Sequence, residues 1–197
     1  MPTERDEVDY HEKIVVDLSK QMRFDLDPGA MARLRRMEVD SAGEADYWRL
    51  AAQCGFLQQN QDKWRRIVKL MALMCGKGEV GQRGALHDTR RGLGAALCDG
   101  GDLHWSPGPA GDGRPVLSET RFARFLEISP AGRYEALERL MRWLAAHRNS
   151  DSGVNCAEIA ELILFPDPVR RLRQIARDYY RRLDFQSTKT ETPEEAA

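Results

Sequence analysis

The sequence predicts an all-α fold, a helical bundle in two small lobes. Apolar residues recur at helical spacing along nearly the whole chain, and no stretch alternates apolar and polar residues as a half-buried strand would. Hydrophobic residues make up 42% of the 197 residues, enough for a packed core. The breaker-rich segment DGGDLHWSPGPAGDGRP divides the chain. We therefore expect an N-terminal lobe (1–100), a C-terminal lobe (115–184) and a disordered acidic tail (185–197).

The first half carries five helix signals in order. A polar helix over residues 6–22 precedes DPGAMARLRRM, where Asp27 is a suitable N-cap and Pro28 fits the first helical position. GEADYWRLAAQCG predicts a helix closed by Gly55. The glycine-rich KGEVGQRGALHDT predicts a mobile segment, and RRGLGAALC predicts a short helix after it. The strongest signal is NQDKWRRIVKLMALMCG, whose apolar face consists of Trp64, Ile67, Val68, Met71 and Met74.

The second half carries four more. LSETRFARFLEI has Ser118 as its candidate cap, and SPAGRYEALERLMRWLAAHRN begins with Ser129 as N-cap. NCAEIAELILF stops at Pro166, and the last helix starts near Pro168. Two apolar stripes are predicted to be buried: Tyr134, Leu137, Leu140, Met141 and Leu144 in the longer helix, and Val169, Leu172, Ile175, Ala176, Tyr179 and Leu183 in the last.

Charge and targeting signals point to a soluble cytoplasmic protein. The net charge is −1, but residues 1–27 hold eight acids against four bases, whereas residues 28–184 hold 25 bases against 20 acids. Such segregation creates a local positive surface. No apolar run is long enough to span a membrane, and the acidic N-terminus lacks a secretory signal. We expect reduced core thiols at Cys54, Cys75, Cys98 and Cys156.

No motif predicts catalysis, a cofactor or a metal. The cysteines and histidines lack the paired spacing of zinc ligands, and GKGEVGQRG lacks the register of a phosphate loop. The GLG at 92–94 is too short for a dinucleotide fingerprint and is better explained by close helix packing. His87 and Asp88 have no partner nucleophile. The sequence therefore predicts a protein that is not an enzyme.

The last helix, VRRLRQIARDYYRRLD, carries the most specific signal. Its arginines at 170, 173, 177 and 181 form one continuous stripe, with Arg171 and Arg182 on the flank. Guanidinium groups bind phosphate oxygens through paired hydrogen bonds, so the stripe can follow a nucleic-acid backbone. Tyr180 falls near the stripe and could stack on an exposed base. The alternative is a solvated face with Tyr179 and Tyr180 at the rim of the core.

Four further basic clusters strengthen the nucleic-acid hypothesis without excluding an adaptor that binds acidic proteins. Glutamates four residues before Arg139 and Arg142 also predict surface ion pairs on one helix, from Glu135 and Glu138. The clusters are RLRR, with little acid nearby (Arg33, Arg35, Arg36); KWRRIVK (Lys63, Arg65, Arg66, Lys69); and the pairs Arg90–Arg91 and Arg121–Arg124.

The order of motifs resembles the small subunit of the type I-E CRISPR Cascade complex, the CasB family. The series AMARLRR, YWRLAAQCGF, LMALMCGKG, RRGLGAAL, LSETRFARFLEI, LERLMRWLAAHR, VNCAEIAELILF and VRRLRQIARDYY covers residues 29–184. The closing R-R-x-x-x-x-A-R-D-Y-Y is its most specific part.

The resemblance implies a helical, non-catalytic subunit of an antiviral surveillance complex, present in two copies. Its implied partners are the Cascade backbone and large subunits, the guide RNA and the target DNA. It would stabilise the guide RNA–target DNA hybrid and hold the displaced non-target strand of the R-loop, with sequence read by base pairing alone. The predicted nucleic-acid-binding residues, carried over by position or taken from the stripe, are Arg36, Lys63, Arg121, Arg139, Arg170, Arg171 and Arg177.

Overall fold

The computed structural model describes residues 4–106, 113–149 and 151–184. Within these ranges the chain forms nine α-helices and no β-strand, which confirms the all-α prediction. None of the described helices combines the length and apolar composition needed to cross a bilayer. The helices are α1 (Glu4–Phe24), α2 (Pro28–Arg36), α3 (Ala45–Gln53), α4 (Gln61–Met74), α5 (Leu93–Asp99), α6 (Glu119–Leu126), α7 (Arg133–His147), α8 (Cys156–Leu164) and α9 (Val169–Asp184).

Side-chain caps begin some helices where the sequence predicts them. Asp27 accepts a hydrogen bond from Ala30 N at 2.8 Å and caps α2, as expected. Ser118 stands at the N-cap position of α6 but its side chain makes no capping bond. Ser129 precedes a 3-10 turn, Pro130–Gly132, instead of capping α7 directly. The residue at which a helix begins is thus easier to predict than the side-chain hydrogen bond that caps it.

Buried side chains of α1 to α9 belong to one hydrophobic cluster. The predicted apolar faces of α4 and α7 are buried throughout. On α9 the inner face is buried at Ile175 and Tyr179, but Val169 is 44% exposed, so the stripe begins later than predicted. Helix α5 packs along α9, and α4 along α7 and α8. These contacts cross the boundary between the proposed lobes 1–100 and 115–184, a division that stays a prediction.

The GLG motif brings α5 and α9 into close contact. A Cβ atom on Gly94 would lie 2.0 Å from the carbonyl oxygen of Ile175 and 2.8 Å from Tyr179 N. No side chain fits at that distance, so the glycine is required where the two backbones meet. The packing explanation of the motif is therefore correct.

The glycine-rich segment after α4 is held by an arginine. Arg83 is 2% exposed and donates hydrogen bonds to the carbonyls of Met22 and Gly78. Gly81 N also donates to Arg23 O at 2.9 Å. The segment is anchored to the end of α1 and to its own start, where the sequence suggested a mobile linker.

The four cysteines are buried and form no disulfide, as predicted. Burial raises the pKa of Cys54 to about 11 and the pKa values of Cys98 and Cys156 to about 12. These thiols are protonated at neutral pH and act as small apolar side chains. The predicted acidic tail, 185–197, lies outside the described residues.

Candidate nucleic-acid interface

Helix α9 presents an exposed row of four arginines, which we call the outer stripe: Arg170, Arg173, Arg177 and Arg181. With 1.5 Å of rise per residue, the stripe extends over about 16 Å. Arg173 and Arg181 form neither a hydrogen bond nor an ion pair with the described part of the chain, and Arg177 donates only to Gln174 Oε1, at 3.2 Å. Most of this positive charge is therefore not neutralised by a carboxylate.

The two flanking arginines, Arg171 and Arg182, are engaged within the protein. Arg171 Nε donates to Glu161 Oε2 at 2.6 Å, and its Nη1 lies 3.3 Å from Glu158 Oε1. Arg182 Nε donates to Asp99 Oδ2 at 2.6 Å. The flanking arginines fasten α9 to α8 and to the end of α5. For Arg171, a contact with nucleic acid stays a prediction.

The carboxylates that receive these arginines are buried. Glu158 is 4% exposed. Its Oε2 accepts a hydrogen bond at 2.7 Å from the backbone N of Leu93, which is the first residue of α5. Burial is the main cause that raises the pKa of Glu158. Asp99, 2% exposed, also pairs with Arg91. Sequence reasoning missed both acids, since their arginine partners lie 8 to 83 residues away and on other helices or loops, where spacing within one helix gives no signal.

The adjacent tyrosines of α9 differ in burial. Tyr179 is fully buried, its hydroxyl donates to Leu117 O at 2.6 Å, and its ring stacks on Phe122 at 4.0 Å. Burial raises its pKa. Tyr180 is half-buried and meets Phe122 edge-on at 6.0 Å. Only Tyr180 lies at the rim of the core, and a role for it in base stacking stays a prediction.

Arg36 lines a broad cavity of about 900 Å³ that we call the basic groove, between the ends of α2 and α4 and helix α7. Asp151 is the one acidic residue that lines it among the described residues. Arg36 itself is exposed and forms no hydrogen bond or ion pair within the described ranges. The cationic lining consists of Arg35, Arg36, Lys69, Lys77, Arg142 and Arg148.

Two arginines of the basic groove cap α4. Arg35 donates to the carbonyls of Ala72, Cys75 and Gly76, and Arg148 Nη2 donates to Met74 O at 2.7 Å. A cation at a helix C-terminus interacts favourably with the helix dipole. Neither guanidinium pairs with a carboxylate of the described residues, and burial lowers the pKa of both. The groove therefore keeps a positive field in addition to the charge of Arg36.

Arg121 and Arg139, which are 18 residues apart in the sequence, together line a second cavity. This α6–α7 pocket has a volume of about 400 Å³, and Arg124 also lines it. None of the three arginines forms a hydrogen bond or ion pair with the described part of the chain. The ion pair expected between Glu135 and Arg139 is not formed.

Other basic residues make contacts within the fold, and for Lys63 a contact with nucleic acid stays a prediction. Lys63, a predicted contact, is half-buried, and its Nζ donates to Leu164 O at 2.5 Å, at the end of α8. Arg33 pairs with the buried Asp46 at 2.6 Å, so the prediction of little acid near RLRR is wrong for this residue. Arg142 pairs with Glu138 at 2.6 Å, as the spacing predicts.

Sequence reasoning named Arg35, Arg36, Lys69 and Arg142 in separate motifs, but it missed Lys77, Arg148 and the groove that joins all six. Lys77 follows α4, and Arg142 and Arg148 belong to the end of α7 and its C-cap. The motifs LMALMCGKG and LERLMRWLAAHR each contain part of this lining, but only the packing of α4 against α7 joins them. Across the described ranges, no group of three His, Cys, Asp or Glu side chains is placed to hold a metal ion.

A known protein family matches this chain over most of its length. The family model of CRISPR-associated protein Cse2 matches residues 30–180. No curated protein and no solved structure matches the chain. The matched region begins in α2 and ends in α9, and it includes the basic groove, the α6–α7 pocket and most of the outer stripe.

Proposed function

We propose a nucleic-acid-binding role for this chain, which belongs to the CRISPR-associated Cse2 family and is thus a small subunit of the type I-E Cascade complex. The family is a structural subunit that works with the other subunits of Cascade. In our proposal the chain has no catalytic activity and binds nucleic-acid backbones without regard to sequence. It thereby stabilises the hybrid of guide RNA and target DNA, together with the displaced non-target strand.

The observation that carries the proposal is the outer stripe. Its arginines are exposed on one face, and Arg173 and Arg181 have no carboxylate partner in the described ranges. A protein surface normally interleaves the two signs of charge, and exposed guanidinium groups without a carboxylate partner, such as those of Arg173 and Arg181, are instead suited to phosphates. Each phosphate contact releases a counterion, which contributes affinity that falls with salt.

The basic groove, whose lining includes no residue of α9, supports the same role. Its arginines and lysines come from α2, α4, α7 and the residues that follow α4 and α7, and they surround an open volume of about 900 Å³. A groove with such a charge can hold a strand by its backbone, whereas base pairing with the guide supplies sequence recognition. We further propose that Cascade backbone and large subunits, and a second copy of this chain, adjoin these surfaces in the complex.

A salt titration of the binding of single-stranded DNA tests the proposal. Fluorescence anisotropy would compare the wild-type chain with the variant Arg173→Ala/Arg177→Ala/Arg181→Ala. If each arginine makes one phosphate contact, the slope of log affinity against log salt becomes shallower by about 2, since each contact to a single strand contributes about 0.7.

A matched control removes the same charge elsewhere. The variant Lys13→Ala/Lys20→Ala/Arg49→Ala changes three exposed bases on α1 and α3, and we expect it to keep the wild-type slope. Equal slopes for all three proteins would contradict the role of the stripe. A wild-type chain that binds no DNA even at low salt would favour the adaptor hypothesis, in which the arginines meet acidic proteins.

A further inference from the structure

The α6–α7 pocket combines an apolar lining with a cationic rim. Its volume is about 400 Å³, within the range of small-molecule sites. Phe125, Ile128 and Trp143 are among the apolar residues that line it. No acidic side chain lines the pocket among the described residues. A ligand that fits must therefore offer both an apolar surface and negative charge.

The arginines of the rim are available to a ligand. Arg121 and Arg124 lie three residues apart on α6 and Arg139 faces them from α7, all exposed. Glu119, two residues before Arg121, and Glu138, next to Arg139, form no ion pair with these arginines in the described structure, and Glu138 pairs instead with Lys69 and Arg142. Three unpaired guanidinium groups around one opening are complementary to an anion with several charges.

Trp143 provides an aromatic surface in the pocket. The His147 ring stacks on the indole, with centroids 4.5 Å apart and planes 21° apart, and His147 Nδ1 lies 2.8 Å from Trp143 O. His147 does not line the pocket, so the part of the indole that does is not covered by the imidazole. The indole is thus held in place and half-buried, and its N–H has no hydrogen-bond partner in the described ranges.

We propose that this pocket receives an unstacked base of the displaced DNA strand, with its flanking phosphates on the three arginines. A nucleotide joins a flat aromatic face to an anionic phosphate, which is the combination the pocket offers. Bases of the guide–target hybrid are paired and cannot enter, whereas those of the displaced strand are free. The inference rests on the proposed function and adds to it a site that holds a base as well as backbone.

The test compares two single-stranded oligodeoxynucleotides of equal length and charge, one of thymidines and one of abasic sites. Phosphate contacts are the same in both, so only a base pocket distinguishes them. We expect the wild-type chain to bind the thymidine strand about tenfold more tightly, as stacking of one base on an aromatic side chain predicts. Trp143→Leu should lose this preference and bind the abasic strand as the wild type does. Trp48→Leu, which alters an exposed tryptophan on α3, should retain the preference.

The outcomes separate this inference from the proposed function. Equal, salt-dependent affinity of the wild-type chain for both strands would overturn the base pocket, leave backbone binding intact and assign the pocket to a protein partner. Absence of binding to both strands would overturn both proposals. Since the decisive comparison uses only the wild-type chain, it holds even if Trp143→Leu fails to fold, and the salt slope of a folded Trp143→Leu should equal that of the wild type.

Discussion

The outer stripe and the flanking arginines of α9 carry the same charge in different surroundings. Arg171 and Arg182 reach the buried acids Glu158 and Asp99 and hold the helix to the body. The arginines of the outer stripe, one helical step away, are exposed. The neighbours in space of an arginine on this helix therefore decide which of two structural roles it has: holding α9 to the body, or staying exposed at the surface. The two roles depend on each other, since charge is aligned only on a helix that is held.

The largest effect is expected from a substitution that displaces α9 from α5, because both groups of arginines depend on the position of this helix. Gly94→Ala places a methyl group against the carbonyl of Ile175, at a position whose three nearest heavy atoms are all backbone atoms. We expect a loss of about 3 kcal/mol in the free energy of unfolding, measured by urea denaturation. Gly78→Ala is the control for glycine removal, since its Cβ would meet nothing within 4 Å; its positive φ of 135° adds strain but no clash. A Gly94→Ala chain as stable as the wild type would contradict the close α5–α9 contact.

Adjacent arginines separate the two roles directly. Arg182→Met leaves the buried Asp99 with Arg91 as its one cationic partner among the described residues, and we expect a loss of about 2 kcal/mol in the free energy of unfolding. Arg181→Met removes an exposed group without a partner in the described ranges, so its stability should stay within about 0.5 kcal/mol of wild type. Salt titration should show the reverse order, with the shallower slope in Arg181→Met. Equal stability losses would refute the distinction.

The tyrosines extend the comparison to the inner face. Tyr179→Phe removes a buried hydrogen bond to Leu117 O, and we expect unfolding to become easier by about 1 kcal/mol. Tyr180→Phe, at the half-buried neighbour, should change stability by less than about 0.5 kcal/mol. Thermal or urea unfolding of the pair measures both. A larger effect at Tyr180 would show that the rim, and not the buried ring, fixes α9.

The smallest expected effect is a dependence on pH. Burial raises the pKa of Glu158 in the folded chain above its ordinary 4.5, while the charge of Arg171 lowers it. A raised folded pKa means that this group favours folding fully below pH 4.5 and loses that contribution as the pH rises through the folded pKa. Arg171→Met raises the folded pKa further, so its stability deficit should be larger at pH 8 than at pH 5.

Two controls define that experiment. Arg173→Met removes a charge of the outer stripe, and any deficit it shows should be the same at both pH values. Glu158→Gln in the Arg171→Met background should remove the additional pH dependence, since the titrating group is gone. A deficit in Arg171→Met that does not change with pH would contradict the coupling between Glu158 and the flanking arginine.

Local features of the fold could be predicted from the sequence because they depend on neighbours along the chain. The apolar faces of α4 and α7 follow from helical spacing. The cap at Asp27 is equally local, because its side chain accepts a hydrogen bond from the backbone amide three residues later. The outer stripe was predictable for the same reason, since residues three and four apart always share a helix face. The limit appeared at Ser118 and Ser129, where a suitable residue makes no capping bond.

By itself, then, the sequence determined the helices, their apolar faces and the row of arginines on α9. Tertiary structure alone decided which cationic side chains have partners inside the protein and which remain exposed to a ligand. Lys63 donates a hydrogen bond to Leu164 O, and Arg171 forms ion pairs with the acids of α8. Arg121 and Arg139, in contrast, line one pocket without such a partner in the described ranges. The reason is that helical periodicity is set by bonds between near neighbours, whereas an ion pair or a cavity depends on how distant segments pack.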